Sequence, residues 1–405
     1  MIEKNVSPYR WVVLLATVPV VVATEMMWLT FSPIASIMEQ EYGVSNFAVN
    51  MLATSYMIMF IICCIPASYV IDRYGFRASL IIGGLLTGIF GFTRAAFADS
   101  FTMIAISQFM LAAGQPFLLN VTTKVAANWF PFKERATADG ILTMAQYLGF
   151  AIPMVLSPAL AESMGIEAML KVFAVVGIVA AVIVILFTRE RPKVAPPGPA
   201  AEKEDFSLSA IAVLFRNKAY VLALAAAFIS IGIFNTILTL IESILMPRGI
   251  TSAEAGIIGA AFVVAGVIGA VVLPSISDKV GRRIPFLMAA VALLVPLYLL
   301  FTFMRSCILL VIVAAVSGFS IMGVAPILFQ HGSEVAYPAQ EGTSLGLILL
   351  MGQISGTLFV LLFEGLTGAF GSIVVPMVLI VVLNAVQLPL IAKMKESKSL
   401  KSQES

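Results

Sequence analysis

The chain has 405 residues, 60% of them hydrophobic and 11% charged, with a formal net charge of +2 and a mean hydropathy of +1.03. Soluble domains carry about 25% charged residues, and a soluble chain of this size leaves roughly a quarter of its exposable surface wet. Its solvent is therefore largely lipid, which excludes a cytosolic enzyme, a nucleic-acid-binding protein and a disulfide-stapled secreted domain.

A spanning helix needs about 20 apolar residues. Hydropathy marks twelve such runs, at 11–38, 46–70, 79–97, 101–124, 136–161, 166–187, 219–246, 253–275, 284–304, 308–330, 342–364 and 371–392. They are continuous rather than alternating with a period of two, unlike porin strands. In hydrocarbon a helix satisfies its own backbone, so all twelve are predicted helical. The first run is about twice as long as a signal-peptide core and lacks a small-residue cleavage site, so it is expected to be retained. The fold class is an all-α membrane protein with two six-helix bundles. The predicted boundaries are 1–187 for the first bundle, 188–218 for a linker, 219–392 for the second bundle and 393–405 for a disordered tail.

Cations orient the spans. With the N-terminus inside, Arg73, Arg77, Lys133, Arg135, Arg189, Arg191, Lys203, Lys279, Arg282, Arg283 and the basic tail all fall on the cytoplasmic side. Arg94, Lys171, Arg248 and Arg305 fall outside, and Lys124 sits near an inner helix end. Both termini are expected in the cytoplasm. In the linker, Arg189-Glu190-Arg191-Pro192 ends the sixth span and a Pro/Ala-rich stretch covers 194–201, which cannot be helical throughout. After it, 206–218 reads as an amphipathic helix, with Phe206, Ile211, Leu214 and Phe215 apolar and Arg216 and Lys218 basic, lying at the cytoplasmic surface.

The halves repeat. Asp72-Arg73-Tyr74-Gly75-Phe76-Arg77 follows the second span, and Asp278-Lys279-Val280-Gly281-Arg282-Arg283 follows the eighth, 206 residues later. Glu134 and Gly140 recur as Glu341 and Gly346. In each loop the Asp is expected to pair with an Arg and cap a neighbouring helix, with Gly making the turn. These loops are assigned to conformational gating. On this pattern the chain resembles the major facilitator superfamily across its whole length. Phe76 stands where a second basic residue is usual, and Ser68 where Gly is usual. The resemblance implies transport by alternating access.

Finer motifs sharpen it. Trp28, Tyr42-Gly43-Val44-Ser45, Tyr56-Met57, Gly114-Gln115-Pro116-Phe117, Asn128-Trp129-Phe130, Glu334-Val335-Ala336-Tyr337-Pro338, Glu341-Gly342, Gly346 and Gln353 resemble the FLVCR branch, the feline leukaemia virus subgroup C receptor-related transporters. That branch is associated with choline and ethanolamine, and with heme in an earlier assignment.

Polar groups at mid-span are functional candidates by default. Glu25 stands near the middle of the first span, where an acid costs about 3 kcal/mol. Trp28 is three residues on, on the same helix face. Carboxylate and indole together suit a cation, with cation–π attraction of about 2 kcal/mol when dry. A protonated Glu25 bonded to a neighbouring helix, with Trp28 as packing, is the competing possibility. Adding 207 takes Gln146 to Gln353 and Trp28 to Asn235, so these positions are expected to line one cavity. Inter-helix amide bonding is the alternative for the three amides. The resemblance implies a Trp in the first span, a Tyr in the seventh and Gln in the fifth and eleventh around an amine. Asn235 departs from that Tyr, which favours a primary amine or a larger polar ring over a quaternary ammonium.

Elsewhere, Asn120 and Lys124 share a face of the fourth span, facing the cavity or the cytoplasmic surface. Glu242 and Glu364 are expected as hydrated salt-bridge partners at outer ends, and His331 as an interfacial cap. Gly352 and Gly356 allow close helix contact beside Gln353. Cys63, Cys64 and Cys307 read as packing thiols. No Walker loop or nucleophile–base constellation appears, so neither a cofactor nor an enzymatic activity is expected. The predicted protein is a monomeric secondary transporter of the plasma membrane. Its partners are the lipid bilayer, a small-molecule substrate (an amine or organic cation) and, in one version, a coupling proton. A multidrug exporter, a heme transporter and a non-translocating sensor are the alternatives.

Overall fold

The computed structural model describes residues 6–131, 134–194, 196, 208–336 and 341–396. Lys4, Lys133, Lys203, Phe206, Tyr337, Pro338, most of the Pro/Ala stretch and the tail beyond Glu396 lie outside the described residues. Among those described, twelve helices are long and apolar enough to cross a membrane. The chain divides into two compact units, 1–203 and 204–405.

The first unit contains α1 (Tyr9–Trp28), α2 (Ala35–Tyr42), α3 (Asn46–Tyr74), α4 (Phe76–Ala96), α5 (Phe101–Leu119), α6 (Thr122–Trp129), α7 (Arg135–Met164) and α8 (Ile166–Phe187). The second contains α9 (Leu208–Arg216), α10 (Lys218–Thr239), α11 (Ile241–Leu245), α12 (Ser252–Val280), α13 (Ile284–Phe303), α14 (Cys307–Ala336), α15 (Glu341–Phe370) and α16 (Val374–Ala392). Helix pairing is the same in both. In the first, α1 packs on α7, α3 on α5 and α4 on α8; in the second, α10 packs on α15, α12 on α14 and α13 on α16.

The repeat extends to the helix ends. Helices α3 and α12 start and stop 206 residues apart, as do α7 and α15. Their caps match too. Ser45 accepts from the Ala48 N–H at the start of α3, and Thr251 accepts from Glu254 at the start of α12, satisfying donors that a first turn leaves unpaired.

Three spans are not single helices. The first run stops at Trp28 and restarts at Ala35, because Pro33 lacks an N–H and disfavours α geometry at Ser32. The seventh is divided at Leu240, between α10 and α11, and the fourth at Asn120–Val121, between α5 and α6. The linker helix ends at Arg216, short of the expected 218, because Asn217 caps α10. It spans Leu208–Arg216 and packs on α10 and α15, with Leu214 buried and Phe215 exposed. Outward faces are as apolar as the interior: Val175, Val179, Val182 and Leu186 of α8 are all exposed. A bilayer requires that pattern, since lipid tails solvate such side chains.

Candidate functional site

In the first unit α1 runs against α7, α8 and α5, which encloses its C-terminal turns. Glu25 is 1% exposed and Trp28 4%. Gln115 Nε2 on α5 donates to Glu25 Oε2 at 3.0 Å. Trp28 Nε1 donates to the Ala53 carbonyl on α3 at 3.0 Å, and its ring meets Phe150 of α7 edge-on, with centroids 5.3 Å apart. The indole N–H is thus occupied while the ring is held rigid. A locked aromatic of this kind presents its π face at low entropic cost. Gln146, on the same helix as Phe150, is half-buried.

A second charge in this unit is buried rather than solvent-facing. Arg94, expected on the outer side, is in the last turn of α4 and is 0% exposed. Its Nη1 donates to Gln108 Oε1 at 2.6 Å, and Gln108 Nε2 donates to the Met27 carbonyl at 3.0 Å. The guanidinium carbon sits 5.2 Å from the Phe31 ring centre. Tyr56, 1% exposed, lies within electrostatic range of both Arg94 and Glu25. One acid and one base therefore share this bundle, each bonded to a neutral amide from α5.

In the second unit Asn235 is buried and its Nδ2 donates to the Gly352 carbonyl at 3.4 Å. That bond places it next to Gln353, which is half-buried. Gly352 brings α15 against Ile231 of α10. The offset of 206 fixed by the ends of α7 and α15 pairs Gln146 with Gly352. The two glutamines are therefore one step out of register, about 100° of helix rotation, rather than equivalent.

The repeated loops work differently from expectation. Asp278 does pair with Arg283, at 3.5 Å, but Arg283 grips Glu334 more tightly, through Nη2 at 2.6 Å and Nε at 3.0 Å. Asp72 pairs with Lys124 and not with an arginine, so Lys124 belongs to the loop network. Neither Asp caps a helix. That task falls to two glutamates the sequence reading passed over. Glu190 accepts from the N–H groups of Phe76 and Arg77 at 3.3 and 2.8 Å. Glu396 accepts from those of Arg283 and Ile284 at 3.0 and 2.9 Å. The two glutamates are 206 residues apart, each just after the last span of its half, a signal present in the sequence. Burial pushes the Glu190 carboxyl above the ordinary range, opposed by its two backbone N–H bonds. Glu396 also shows that the tail is fastened as far as that residue. Gly75 makes its turn with φ +89°, and Gly281 with φ +67°. Arg73, Arg77, Lys279 and Arg282 are exposed.

Two other expectations change. Glu242 is 1% exposed and accepts from Ser252 Oγ, so it is no hydrated surface partner. His331 is 1% exposed inside α14, beside Glu334, Glu396 and Arg283, and so caps no helix end.

Twelve spans in two like-built six-helix units, with a buried acid and a buried base in the first, define a membrane transporter of the two-bundle type. The model of the Major Facilitator Superfamily matches residues 17–360, and the chain belongs to that superfamily. It is 31% identical over 373 residues to solute carrier family 49 member A3 of Danio rerio, covering 88% of this chain and 78% of that one. It is 27% identical over 393 residues to the choline/ethanolamine transporter FLVCR2 of Rattus norvegicus, covering 91% and 71%. The inward-facing, unoccupied crystal structure of a bacterial homologue of the human lysosomal transporter Spinster superposes with a TM-score of 0.73 at 19% identity, covering 96% and 97%.

Proposed function

We infer that the chain is a secondary transporter of a small amine-bearing organic solute, working by alternating access. The observation that carries this is Glu25, a fully buried carboxylate in the last turn of α1, inside an apolar span and one turn from a locked indole. An acid so placed is costly unless it has a task, and acid plus indole face is the chemistry that receives an ammonium group. The relatives named as choline/ethanolamine transporters support the same solute class. Each half is assigned its own contacts: Glu25, Trp28 and Gln146 in the first, Asn235 and Gln353 in the second. Asp72, Arg73, Gly75, Arg77, Asp278, Lys279, Gly281, Arg282 and Arg283 are assigned to gating. The protein is placed as a monomer in the plasma membrane with both termini cytoplasmic, following its cations.

A proton-coupled mode is the second reading, because Glu25 is held by a neutral amide rather than a cation. Flux of labelled ethanolamine into liposomes containing the purified protein tests both. Saturable uptake is expected. Uptake that responds to an imposed pH gradient assigns Glu25 a proton, and binding without flux identifies a sensor.

A further inference from the structure

We propose that the solute is bipolar, carrying an acidic group that Arg94 binds while its amine is held at Glu25 and Trp28. This rests on the amine reading above and adds the second end of the molecule.

Three observations carry it. The first is the state of Arg94 itself. It is fully buried, and of its three nitrogens only Nη1 has a hydrogen-bond partner among the described residues; Nε and Nη2 have none. A buried donor without a partner is costly, and more so when charged. The Nε and Nη2 hydrogens project from one edge of the guanidinium, the edge that takes both oxygens of a carboxylate or phosphate. The chain demonstrates this chemistry elsewhere, since Arg283 uses the same two nitrogens to hold both oxygens of Glu334. The Tyr56 hydroxyl, also fully buried, has no hydrogen-bond partner among the described residues either.

The second is the repeat. At offsets of 206 or 207, the counterparts of Glu25, Tyr56, Arg94, Gln108 and Gln115 are Ile231, Phe262, Phe301, Ala314 and Ile321. All are apolar. The same helix packing is thus built without any of these polar groups, so the fold does not require them.

The third is spacing. Gln108 holds Arg94 and Gln115 holds Glu25. These amides are seven residues apart on α5, about 10 Å along the axis. One helix thus holds the two charged groups about two turns apart, and a short amino acid with its amine one or two carbons beyond the α position is the kind of zwitterion that would meet both. A lone cation leaves Arg94 uncompensated and a lone anion leaves Glu25 so; a zwitterion answers both.

Equilibrium binding to the purified full chain tests this with three probes of similar size: β-alanine, 3-aminopropan-1-ol and butyrate. β-Alanine is expected to bind at least tenfold more tightly than either of the others. Arg94→Gln should bring the ratio of β-alanine to amino-alcohol affinity close to one. Arg94→Lys, which keeps the charge but not the two-pronged edge, should give an intermediate ratio and guards against misfolding of the neutral variant. Equal or tighter binding of the amino alcohol by the unaltered protein overturns the proposal and leaves the amine reading standing. Binding of butyrate alone overturns both. A β-alanine preference that survives Arg94→Gln, or no binding of any probe, overturns the bipolar assignment.

Discussion

Gly149 of α7 lies so close to Glu25 of α1 that a β-carbon at position 149 would stand 2.5 Å from Glu25 Cβ and 2.8 Å from the Val22 carbonyl oxygen. The absence of a side chain there presses α7 against the carboxylate-bearing turn and fixes its depth. Gly149→Val is expected to destabilise the fold by about 1–3 kcal/mol through overpacking and to weaken solute binding. Gly140→Ala, on the same helix with nothing within 4 Å of the added carbon, should be neutral or slightly stabilising. Thermal unfolding in detergent and a binding titration on both variants check this.

Trp28 contributes a ring whose N–H is already committed to Ala53. Trp28→Ala should cost about 1–2 kcal/mol of amine binding, or roughly tenfold in affinity. Trp28→Phe should retain part of the attraction, though it also abandons the Ala53 carbonyl. Titration with ethanolamine distinguishes the two variants.

The gating loops predict kinetic rather than affinity effects. Asp72→Asn removes the pairing with Lys124 and Asp278→Asn that with Arg283. Both should slow transport while equilibrium affinity stays within a few-fold, since such changes bias conformations rather than touch solute. Because Asp72 and Asp278 are exposed, each pair is worth only about 0–1 kcal/mol. Glu334→Gln, which breaks a buried two-pronged grip on Arg283, should slow flux more than either. Rapid-mixing flux measured beside equilibrium binding separates the two quantities.

Glu190 and Gly75 form one device. Gly75 has a positive φ, and a β-carbon there would lie 2.4 Å from the Glu190 carboxyl carbon. Gly75→Ala should therefore eject Glu190 from the α4 N-terminus and cost at least the loss of a helix cap, about 1 kcal/mol. The pH dependence has a definite sign. Burial raises the Glu190 pKa, so the folded state binds a proton more readily than the unfolded chain. Stability should then fall as pH rises through the window just above the ordinary carboxylate range. Glu190→Gln should flatten that window, as read by unfolding temperature against pH.

Gln146 and Gln353 are each half-buried. A cysteine at either position should be shielded from a small thiol reagent by saturating solute. Indifference at both would remove them from the solute contacts.

How much of this was legible follows from the physics of each signal. Hydropathy located the spans, because lipid makes length and apolarity nearly sufficient. It overran the first helix, where Pro33 acts on backbone geometry rather than hydropathy. Glu25 stood out as a carboxylate in the middle of an apolar run. Arg94 did not, because a basic residue near a span end looks the same whether it reaches water or turns inward. Tyr56 and Gln108 were invisible as site residues, since an isolated phenol or amide in a helix acquires meaning only from what α1 and α4 bring beside it. The repeat was legible to within one residue. That margin suffices for a loop motif but not for Gln146 and Gln353, where one residue changes the helix face.

The most direct measurement is the affinity of ethanolamine for the protein and for Glu25→Gln at one pH, with flux followed across a pH gradient. The substitution keeps size and hydrogen-bonding capacity and removes only the charge. An amine transporter using Glu25 as counter-charge should lose about tenfold or more in affinity, in line with the loss of a desolvated charge-assisted bond. Unchanged affinity together with unchanged pH response would reduce Glu25 to an inter-helix partner of Gln115 and contradict the amine assignment.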